Sequence, residues 1–502
     1  MQRCMLIQEL VHEVVQHVAD GATGSERLGR DMRNCGLVSR TFYEPAMNRL
    51  WDELPGLYPL LLCFPDAAVI AAPKETVKRW RKIALTRPPM DEEWDRFVHH
   101  ARRVRALRLP EIAEEDEQAS FLQSLQVLCH RYPALAFSGL HSLQIELQHY
   151  SFPHHYEVFI RKSLESVVIY FGGGKSWYPV DFIEMLEHTP QLIHLRLLGI
   201  EGGDEIFRHP ISKTLNSLSL LRSFSSSITL PTDAINHLSR LQALSELDLS
   251  GNAQSFAIIA PGRFLSLTAL TITFNDSLVL EDWAQALQLF RYAPLRVLQL
   301  SANPPRREVR APELLPFLDA LGNFAALRTC KIHLPFEYEW RATELEVSDF
   351  RPLLRIPTIT DIDLQRFPTR YSPLCRAMAE AWPHLSSVAL NYPACEGIIE
   401  DINRVAVIED LVLFAECCPR LVSLDTHLAP IAANWDWQDP GPDFVPSRTT
   451  SVSLRHTQIP LLAAERVVPF FTRYFPFATV IGTVLQEKAE DSDVTDEDDT
   501  DL

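Results

Sequence analysis

The chain has 502 residues, of which 46% are apolar and 22% are charged, the range of globular proteins, and this is enough for several domains or one long solenoid. Its formal net charge of −18 argues against nucleic acid as the main partner, because phosphate groups attract basic surfaces. The nine cysteines are scattered and contain no C-x-x-C pair, which indicates reduced thiols and predicts a cytoplasmic or nuclear protein.

Residues 1–53 contain three short helical patterns. An apolar stripe at four-residue steps predicts the first helix, and Val11 and Val15 widen it: Leu6, Leu10, Val14 and Val18. Residues 34–42 and 46–51 predict two more helices. Glu9 and Glu13 interrupt the first apolar run, so we do not expect a signal peptide. A unit this small buries little surface alone and needs a neighbour, in the chain or on a partner.

These N-terminal residues resemble an F-box. The resemblance is carried by Leu6-x-x-Glu9-Leu10, by Cys35-x-Leu37-Val38-Ser39-Arg40-x-Phe42 and by Leu50-Trp51, with Ile7 where the family usually has proline. It implies a Skp-type adaptor as partner and, through the adaptor, a cullin. The residues that the resemblance assigns to adaptor binding are Leu6, Ile7, Leu10, Val14, Leu37, Val38, Leu50 and Trp51. The alternative is an N-terminal cap that only covers the rest of the chain.

Residues 54–100 are predicted to form a helical, proline-rich linker that packs on the following repeats. The most apolar window of the chain, 54–73, lies here and holds four prolines and Asp66. A membrane-spanning helix tolerates such a composition poorly, so we expect buried irregular structure and no membrane partner.

From residue 101 to 486 the pattern L-x-x-L-x-L recurs, most clearly at Leu244-x-x-Leu247-x-Leu249, which Asn252 follows at a turn. Side chains alternate along a strand, so Leu247 and Leu249 would be buried while their neighbours point outward. The pattern resembles the leucine-rich repeat. Its copies begin at the following residues: Val104, Leu140, Leu164, Leu192, Leu215, Leu244, Leu267, Leu295, Leu327, Ile359, Leu385 and Leu421. A weaker copy contains Val452-x-Leu454.

Successive copies are roughly 23 to 36 residues apart, which allows one strand and one helix per repeat. Helices are predicted between the strands, each ending near a proline that stops it: 182–188, 282–290, 374–382 and 408–416. The predicted fold is therefore α/β: an N-terminal helical F-box followed by a leucine-rich-repeat horseshoe, with parallel strands on the concave face and helices on the convex face. Residues 461–474 are predicted as the last helix and C-terminal cap.

The predicted concave face and three long inserts are the candidate target-binding elements. The inserts are the basic 304–310, the aromatic and acidic 334–352, and 429–446 with its two tryptophans. The predicted target contacts are Glu246, Asp248, Lys331, His333, Asp361, Asp363, Asp425, Trp435 and Trp437. Acids outnumber bases on this face, which favours a target with a basic segment. The alternatives are a face that is merely solvated and inserts that are variable padding.

Motifs for catalysis, cofactors and metals are incomplete. The glycine-rich stretch at 172–176 has Ile169 where a phosphate-binding loop requires its first glycine. His12 and His17 are one residue too far apart for the metalloprotease pattern, and G-x-S-x-G does not occur. The sequence therefore predicts neither an enzyme nor a cofactor or metal site.

The whole layout resembles fungal F-box proteins with degenerate leucine-rich repeats. The resemblance implies a substrate-recognition subunit of a Skp–cullin–F-box type ubiquitin ligase, acting in ubiquitin-dependent degradation. The alternative is a non-catalytic repeat scaffold, and an enzyme on a repeat scaffold lacks any site to support it. Residues 487–502 carry nine acids, one lysine and no aromatic residue, which predicts a disordered acidic tail.

Overall fold

Parallel strands alternating with helices build both units of the chain, Met1–Gly251 and Asn252–Leu502. The structure is a computed structural model, and it describes the following residues: 8–21, 25–65, 69–71, 83–85, 87, 89–109, 137–147, 153–171, 180–199, 204–251, 256, 264–275, 280–302, 311–334, 345–365, 367, 369–391, 406–429, 431, 435, 437, 441 and 444–485. The sequence predictions for Leu6, Ile7, the glycine-rich stretch, the basic insert, Asn252 and the acidic tail fall outside these residues.

The first unit begins with helices and continues as a row of strands. Its helices are α1 (Gln8–Asp20), α2 (Ser25–Val38), α3 (Arg40–Asp52), α4 (Tyr58–Leu61), α5 (Asp91–Ala101), α6 (Val180–Met185), α7 (Asp204–Ser217) and α8 (Thr232–Leu238). Its strands are β1 (Glu53–Leu54), β2 (Val69–Ala71), β3 (Ile83–Leu85), β4 (Ala106–Leu109), β5 (Ser142–Leu147), β6 (Ser166–Phe171), β7 (His194–Leu198), β8 (Ser223–Ser226) and β9 (Glu246–Gly251). Short 3-10 turns span Pro153–Phe159 and Leu186–His188.

The three N-terminal helices enclose a small apolar core of their own. It consists of Val11, Val15, Ala19, Met32 and Phe42, with Val18, Leu28, Cys35 and Leu50 packed against it. The side of α1 that faces the other two helices is therefore the one with Val11 and Val15. The sequence predicts these two residues only at the edge of the apolar stripe. Because both stripes repeat every four residues, periodicity alone does not decide which one faces the other helices.

Strands β1 and β4 to β9 pair in parallel and in chain order, while β2 and β3 form a separate antiparallel pair. The pairing of Glu53–Leu54 with Ala106–Leu107 makes β1 the first strand of the array. One predicted repeat is wrong: the copy at Leu215 does not form a strand, because α7 extends to Ser217 and β8 starts at Ser223. The true apolar pair of that repeat is Leu221 and Phe224, both buried.

The second unit repeats the strand–helix alternation. Its strands are β10 (Ala269–Phe274), β11 (Val297–Ala302), β12 (Thr329–His333), β13 (Asp361–Gln365), β14 (Ser387–Asn391), β15 (Ser423–Thr426), β16 (Ser451–Pro460) and β17 (Thr479–Leu485). Its helices are α9 (Leu280–Gln288), α10 (Ala311–Leu321), α11 (Arg351–Leu354), α12 (Tyr371–Ala381), α13 (Ile408–Cys417) and α14 (Leu461–Tyr474), and a 3-10 turn spans Val347–Phe350.

Inward side chains of the second unit stack in register from one strand to the next. The backbone pairs align one row that is buried throughout: Leu298, Cys330, Ile362, Val388, Leu424 and Val452. A repeated backbone bridge locks this register, since the carbonyl of Arg296 accepts hydrogen bonds from the amides of both Arg328 and Thr329. The parallel α/β architecture of leucine-rich repeats is thus present in each unit.

The C-terminal end differs in one element from the expectation. Helix α14 has the predicted bounds and is followed by a further strand, β17, which pairs in parallel with β16. The register shifts between Leu454 and Gln458, so β16 is longer than its predecessors. The array therefore ends on a strand.

Deletion of one stacked side chain tests the importance of the inward row. Leu298 is fully buried, whereas Gln299 beside it points to the polar face. We expect Leu298→Ala to lower the free energy of unfolding by about 2–5 kcal/mol through lost burial and a cavity. The matched Gln299→Ala should change it by less than about 0.5 kcal/mol. Urea denaturation followed by tryptophan fluorescence measures both, and equal midpoints would contradict the stacking argument.

Candidate interaction surfaces

Four large apolar side chains of the N-terminal helices lie outside their core. Leu10 and Val14 are exposed on α1, one turn apart. Leu37 and Val38 end α2 and expose 78% and 73% of their surface. We call these four residues the N-terminal apolar surface. All four belong to the predicted adaptor-binding set, of which Leu50 instead packs inward and Trp51 is half-buried.

Charged side chains join α3 and β1 to residues 103–108, which lead into β4 and form most of it. Arg103 donates to Glu44 at 2.8 Å and also to Asn48. Arg108 forms an ion pair with Glu53 at 3.0 Å. The pair at Arg108 is more than half exposed and contributes about 0–1 kcal/mol, whereas the Arg103 side chain is only 9% exposed.

Trp51 and His100 form a stacked pair where α3 meets α5. Their ring centroids are 4.3 Å apart with an interplanar angle of 24°. Burial, and to a smaller extent the neighbouring His99, Arg103 and Arg96, lowers the pKa of His100 to about 4 against the opposing attraction of Glu44. His100 is therefore neutral at pH 7. The stack places Trp51 at the contact between α3 and α5.

In the second unit the predicted target-binding residues of β12 and β13 lie together on the polar side of two paired strands. His333 and Asp363 are 2.8 Å apart, from Nε2 to Oδ2. The register sets Lys331 directly beside Asp363. Asp361 accepts hydrogen bonds from Thr360 at 2.6 Å and Ser386 at 2.9 Å. The structure thus brings together Lys331, His333, Asp361 and Asp363, and we call these four residues the acidic strand face.

The remaining acids of the predicted face lie on other strands. Asp425 occupies the same register row as Asp363, two strands further along on β15. In the first unit, Glu246 and Asp248 lie on β9, and Asp248 accepts a hydrogen bond from Ser225 at 2.8 Å. Glu246 is exposed and Asp248 half-buried, so both are accessible from the polar face of that unit.

Trp435 and Trp437 are held by the body of the second unit. The Trp435 indole N–H donates to Glu409 at 2.8 Å, and Arg466 donates to the Trp435 carbonyl at 3.0 Å. Both rings lie edge-on to Phe470 of α14. These contacts leave the two rings half-buried, so they fasten the C-terminal insert to the last helix and offer less surface to a target than their sequence position suggested.

The described residues contain no group of three His, Cys, Asp or Glu side chains placed to hold a metal ion. Burial raises the pKa of the Cys330 thiol to about 12 and raises that of Cys375 as well. Such thiols are protonated and unreactive at neutral pH. No helix within the described part of the chain is long and apolar enough to cross a membrane.

Comparison with known proteins adds only distant structural likeness. No protein-family model and no curated protein matches the chain. Among solved structures, it is similar to the leucine-rich repeat-containing protein LegL7 from Legionella pneumophila, with 13% sequence identity and a TM-score of 0.29 over 59% of this chain and 87% of the other. The assignment as a leucine-rich-repeat type α/β solenoid therefore rests on the strand register and buried rows described above.

Sequence reasoning missed the residues that join the helices to the array. Arg103, Arg105 and His100 belong to no repeat pattern, and their partners Glu44, Asp52 and Trp51 lie about fifty residues away in the chain. The one available signal was the basic cluster at 102–108, which precedes the first strand. A basic cluster alone does not reveal whether it faces solvent or acids of the same chain.

The His100 stack predicts a pH dependence of stability. Because the folded-state pKa lies below the ordinary 6.5, the unfolded chain binds a proton in a range where folded His100 does not. Its contribution is present above pH 6.5 and is lost as the pH falls toward 4. We expect His100→Phe, which keeps an aromatic ring on Trp51, to lose less stability between pH 7 and pH 4.5 than the unsubstituted chain does.

Urea denaturation at the two pH values measures this difference. The matched control is His384→Phe, which replaces an exposed histidine and should leave the pH dependence unchanged. The interpretation fails if His100→Phe and the unsubstituted chain lose the same stability on acidification.

Proposed function

We propose that this chain is the substrate-recognition subunit of a Skp–cullin–F-box type ubiquitin ligase. The observation that carries the proposal is the exposure of Leu10, Val14, Leu37 and Val38 outside the core of the N-terminal helices. Leu10 and Val14 are one helical turn apart and Leu37 and Val38 are adjacent in the chain, and exposed apolar patches are characteristic of protein–protein interfaces. These four belong to the sequence that resembles an F-box, which favours a Skp-type adaptor as the partner.

The attachment of the helices supports a role in positioning. Strand β1 continues directly from α3 and pairs with β4, and Arg103 ties α3 to the start of the array. A partner bound to the N-terminal apolar surface would be held in a fixed orientation to the first strands. A recognition subunit requires this, because it contributes binding and geometry while a separate enzyme transfers ubiquitin.

The acidic strand face of the second unit is the proposed target surface. Asp361 and Asp363 flank Ile362, which is buried, so both point to the polar side of β13. Their carboxylates are ordered by hydroxyl and imidazole donors, which reduces the side-chain entropy lost on binding. Since like charges are excluded, a target with a basic segment fits this face best.

The second candidate is a non-catalytic repeat scaffold whose N-terminal helices only cover the array. In that case the N-terminal apolar surface would bind no other protein. The exposure of Leu37 and Val38 disfavours this reading, since a cap that serves only the array gains nothing from apolar side chains in water.

Substitution of Leu37 tests adaptor binding. Leu37 is among the most exposed apolar residues described, so Leu37→Asp should leave the helices folded. Removing an apolar interface anchor costs about 2–4 kcal/mol, which corresponds to roughly 30- to 1,000-fold weaker binding. Co-expression with a Skp-type adaptor, followed by affinity purification and calorimetry, measures the loss.

The matched control is Leu265→Asp, an exposed leucine of the second unit outside the N-terminal apolar surface. It should bind the adaptor as the unsubstituted chain does. Adaptor binding that is equal in all three proteins, or absent in all three, would favour the scaffold. Circular dichroism excludes loss of the helices as the cause of any difference.

The target surface is tested with a displayed library of random peptides, which requires no knowledge of the natural target. We expect the unsubstituted chain to enrich peptides with Lys and Arg clusters at low salt, less so at high salt. The double variant Asp361→Asn/Asp363→Asn should lose this enrichment, because asparagine keeps the shape and removes two charges. Glu281→Gln/Asp319→Asn, on α9 and α10, is the charge-matched control. If both double variants enrich the same peptides, the strand face does not select by charge.

A further inference from the structure

The last strand of the array has one edge that no strand covers among the described residues. Strand β17 pairs with β16 along one side and stands at the end of the strand order. Its sequence, Thr479–Leu485, contains neither a charged residue nor a proline. Exposed strand edges are normally blunted by lysine, proline, a bulge or a covering segment, because their free N–H and C=O groups pair readily with another strand.

Two apolar side chains of β17, Val480 and Ile481, are exposed to solvent, and Val480 is more exposed than the residues at the same register position in the preceding strands. Val480 is 38% exposed, although the residues at the same register position in the three preceding strands, Val452, Leu424 and Val388, expose 0%, 1% and 0%. Ile481 is 62% exposed on the polar side, in the row that holds Asp363. Val480 thus occupies a position that is buried in the preceding strands, but no further strand of the described residues packs against it.

Further exposed apolar residues continue this surface toward α14. Phe477 lies in the turn between α14 and β17 and is largely exposed. Val445 is also exposed, and the amide of Ser447 donates to the carbonyl of Tyr474 at 2.9 Å, which holds its segment beside the end of α14. We call Val445, Phe477, Val480 and Ile481, with the free edge of β17, the C-terminal edge.

The chain that follows β17 is chemically unsuited to cover this edge. Residues 486–502 contain nine acids and only Ala489, Val494 and Leu502 as apolar residues. Covering Val480 and Ile481 with that segment would bring many carboxylates against an apolar surface and desolvate them at a cost. The surface is instead complementary to itself, because an uncharged strand edge and apolar side chains match an identical set.

We propose that a second copy of this chain occupies the C-terminal edge, with the two β17 strands pairing antiparallel about a two-fold axis. Such a contact is isologous, so each copy contributes the same edge and closes the other. The pairing would extend the sheet of one copy into that of the other and shield Val480 from water on both. This goes beyond the proposed ligase function and does not depend on it.

The acidic tails are compatible with this arrangement. In antiparallel pairing centred at Gly482, residue 486 of each copy lies four positions from the axis on opposite sides. At about 3.4 Å per residue, the two tails begin roughly 27 Å apart, well beyond the ~8 Å screening length of physiological salt. A parallel side-by-side pairing would instead start both tails together, and their charges would repel.

Analytical ultracentrifugation of the full chain tests the proposal. We expect the mass to rise from that of one 57.2 kDa chain toward twice that value as concentration increases. Ile481→Lys should keep the chain at the single-chain mass over the same range, because the two lysines would lie diagonally across the axis on the same face of the joined sheet, where their charges repel and replace an apolar contact. Leu265→Lys, at a residue that is 66% exposed, is the matched control and should dimerise as the unsubstituted chain does.

Hydrogen exchange locates the contact independently. Amides of 479–485 should become protected as concentration increases in the unsubstituted chain and not in Ile481→Lys. A single-chain mass at all concentrations overturns the proposal, as does a dimer that Ile481→Lys leaves intact. A chain ending at residue 485 that dimerises while the full chain does not would show that the tail covers the edge, which also overturns it.

Discussion

The register of the parallel strands is the constraint on which the rest of this molecule depends. Each repeat contributes a short strand with two inward apolar side chains, and these are buried only if the next strand pairs without a shift. In the second unit Leu298, Cys330, Ile362, Val388, Leu424 and Val452 form one such row. A shift by one residue would turn Asp361 and Asp363 inward, and burying unpaired carboxylates costs more than any single contact returns.

The same constraint explains why the first and last strands of the chain need special treatment. An inward row requires a neighbour on both sides, so a repeat array cannot end without covering its final row. At the start, β1 follows α3, and the Trp51–His100 stack closes the junction. At the other end, Trp435 and Trp437 pack on α14, yet Val480 is left in partial contact with water. This exposure is the basis of the association that we propose for the C-terminal edge.

Polar residues between the buried rows serve two purposes at once. Asp361 accepts hydrogen bonds from Thr360 and Ser386, and His333 contacts Asp363. The bonds from Ser386 and His333 connect β13 to its neighbouring repeats, so the same carboxylates that would recognise a basic target also stabilise the sheet. The proposed target binding and the stability of the sheet therefore depend on the same carboxylates, and charge-neutral, shape-preserving substitutions separate the two better than truncation to alanine does.

The sequence by itself determined the repeats, because alternation of apolar residues at Leu244, Leu247 and Leu249 is a local property that burial enforces in every copy. It also marked the N-terminal helices and the exposed Leu37 and Val38. The sequence prediction placed the repeat wrongly at Leu215, because the leucines at the end of a helix can have the same spacing as those of a strand. Only the tertiary structure decided that Val11 and Val15 face inward, that Arg103 holds α3, and that β17 stands at the end of the strand order of the described residues. Those features depend on which residues far apart in the chain become neighbours, and local periodicity carries no information about that.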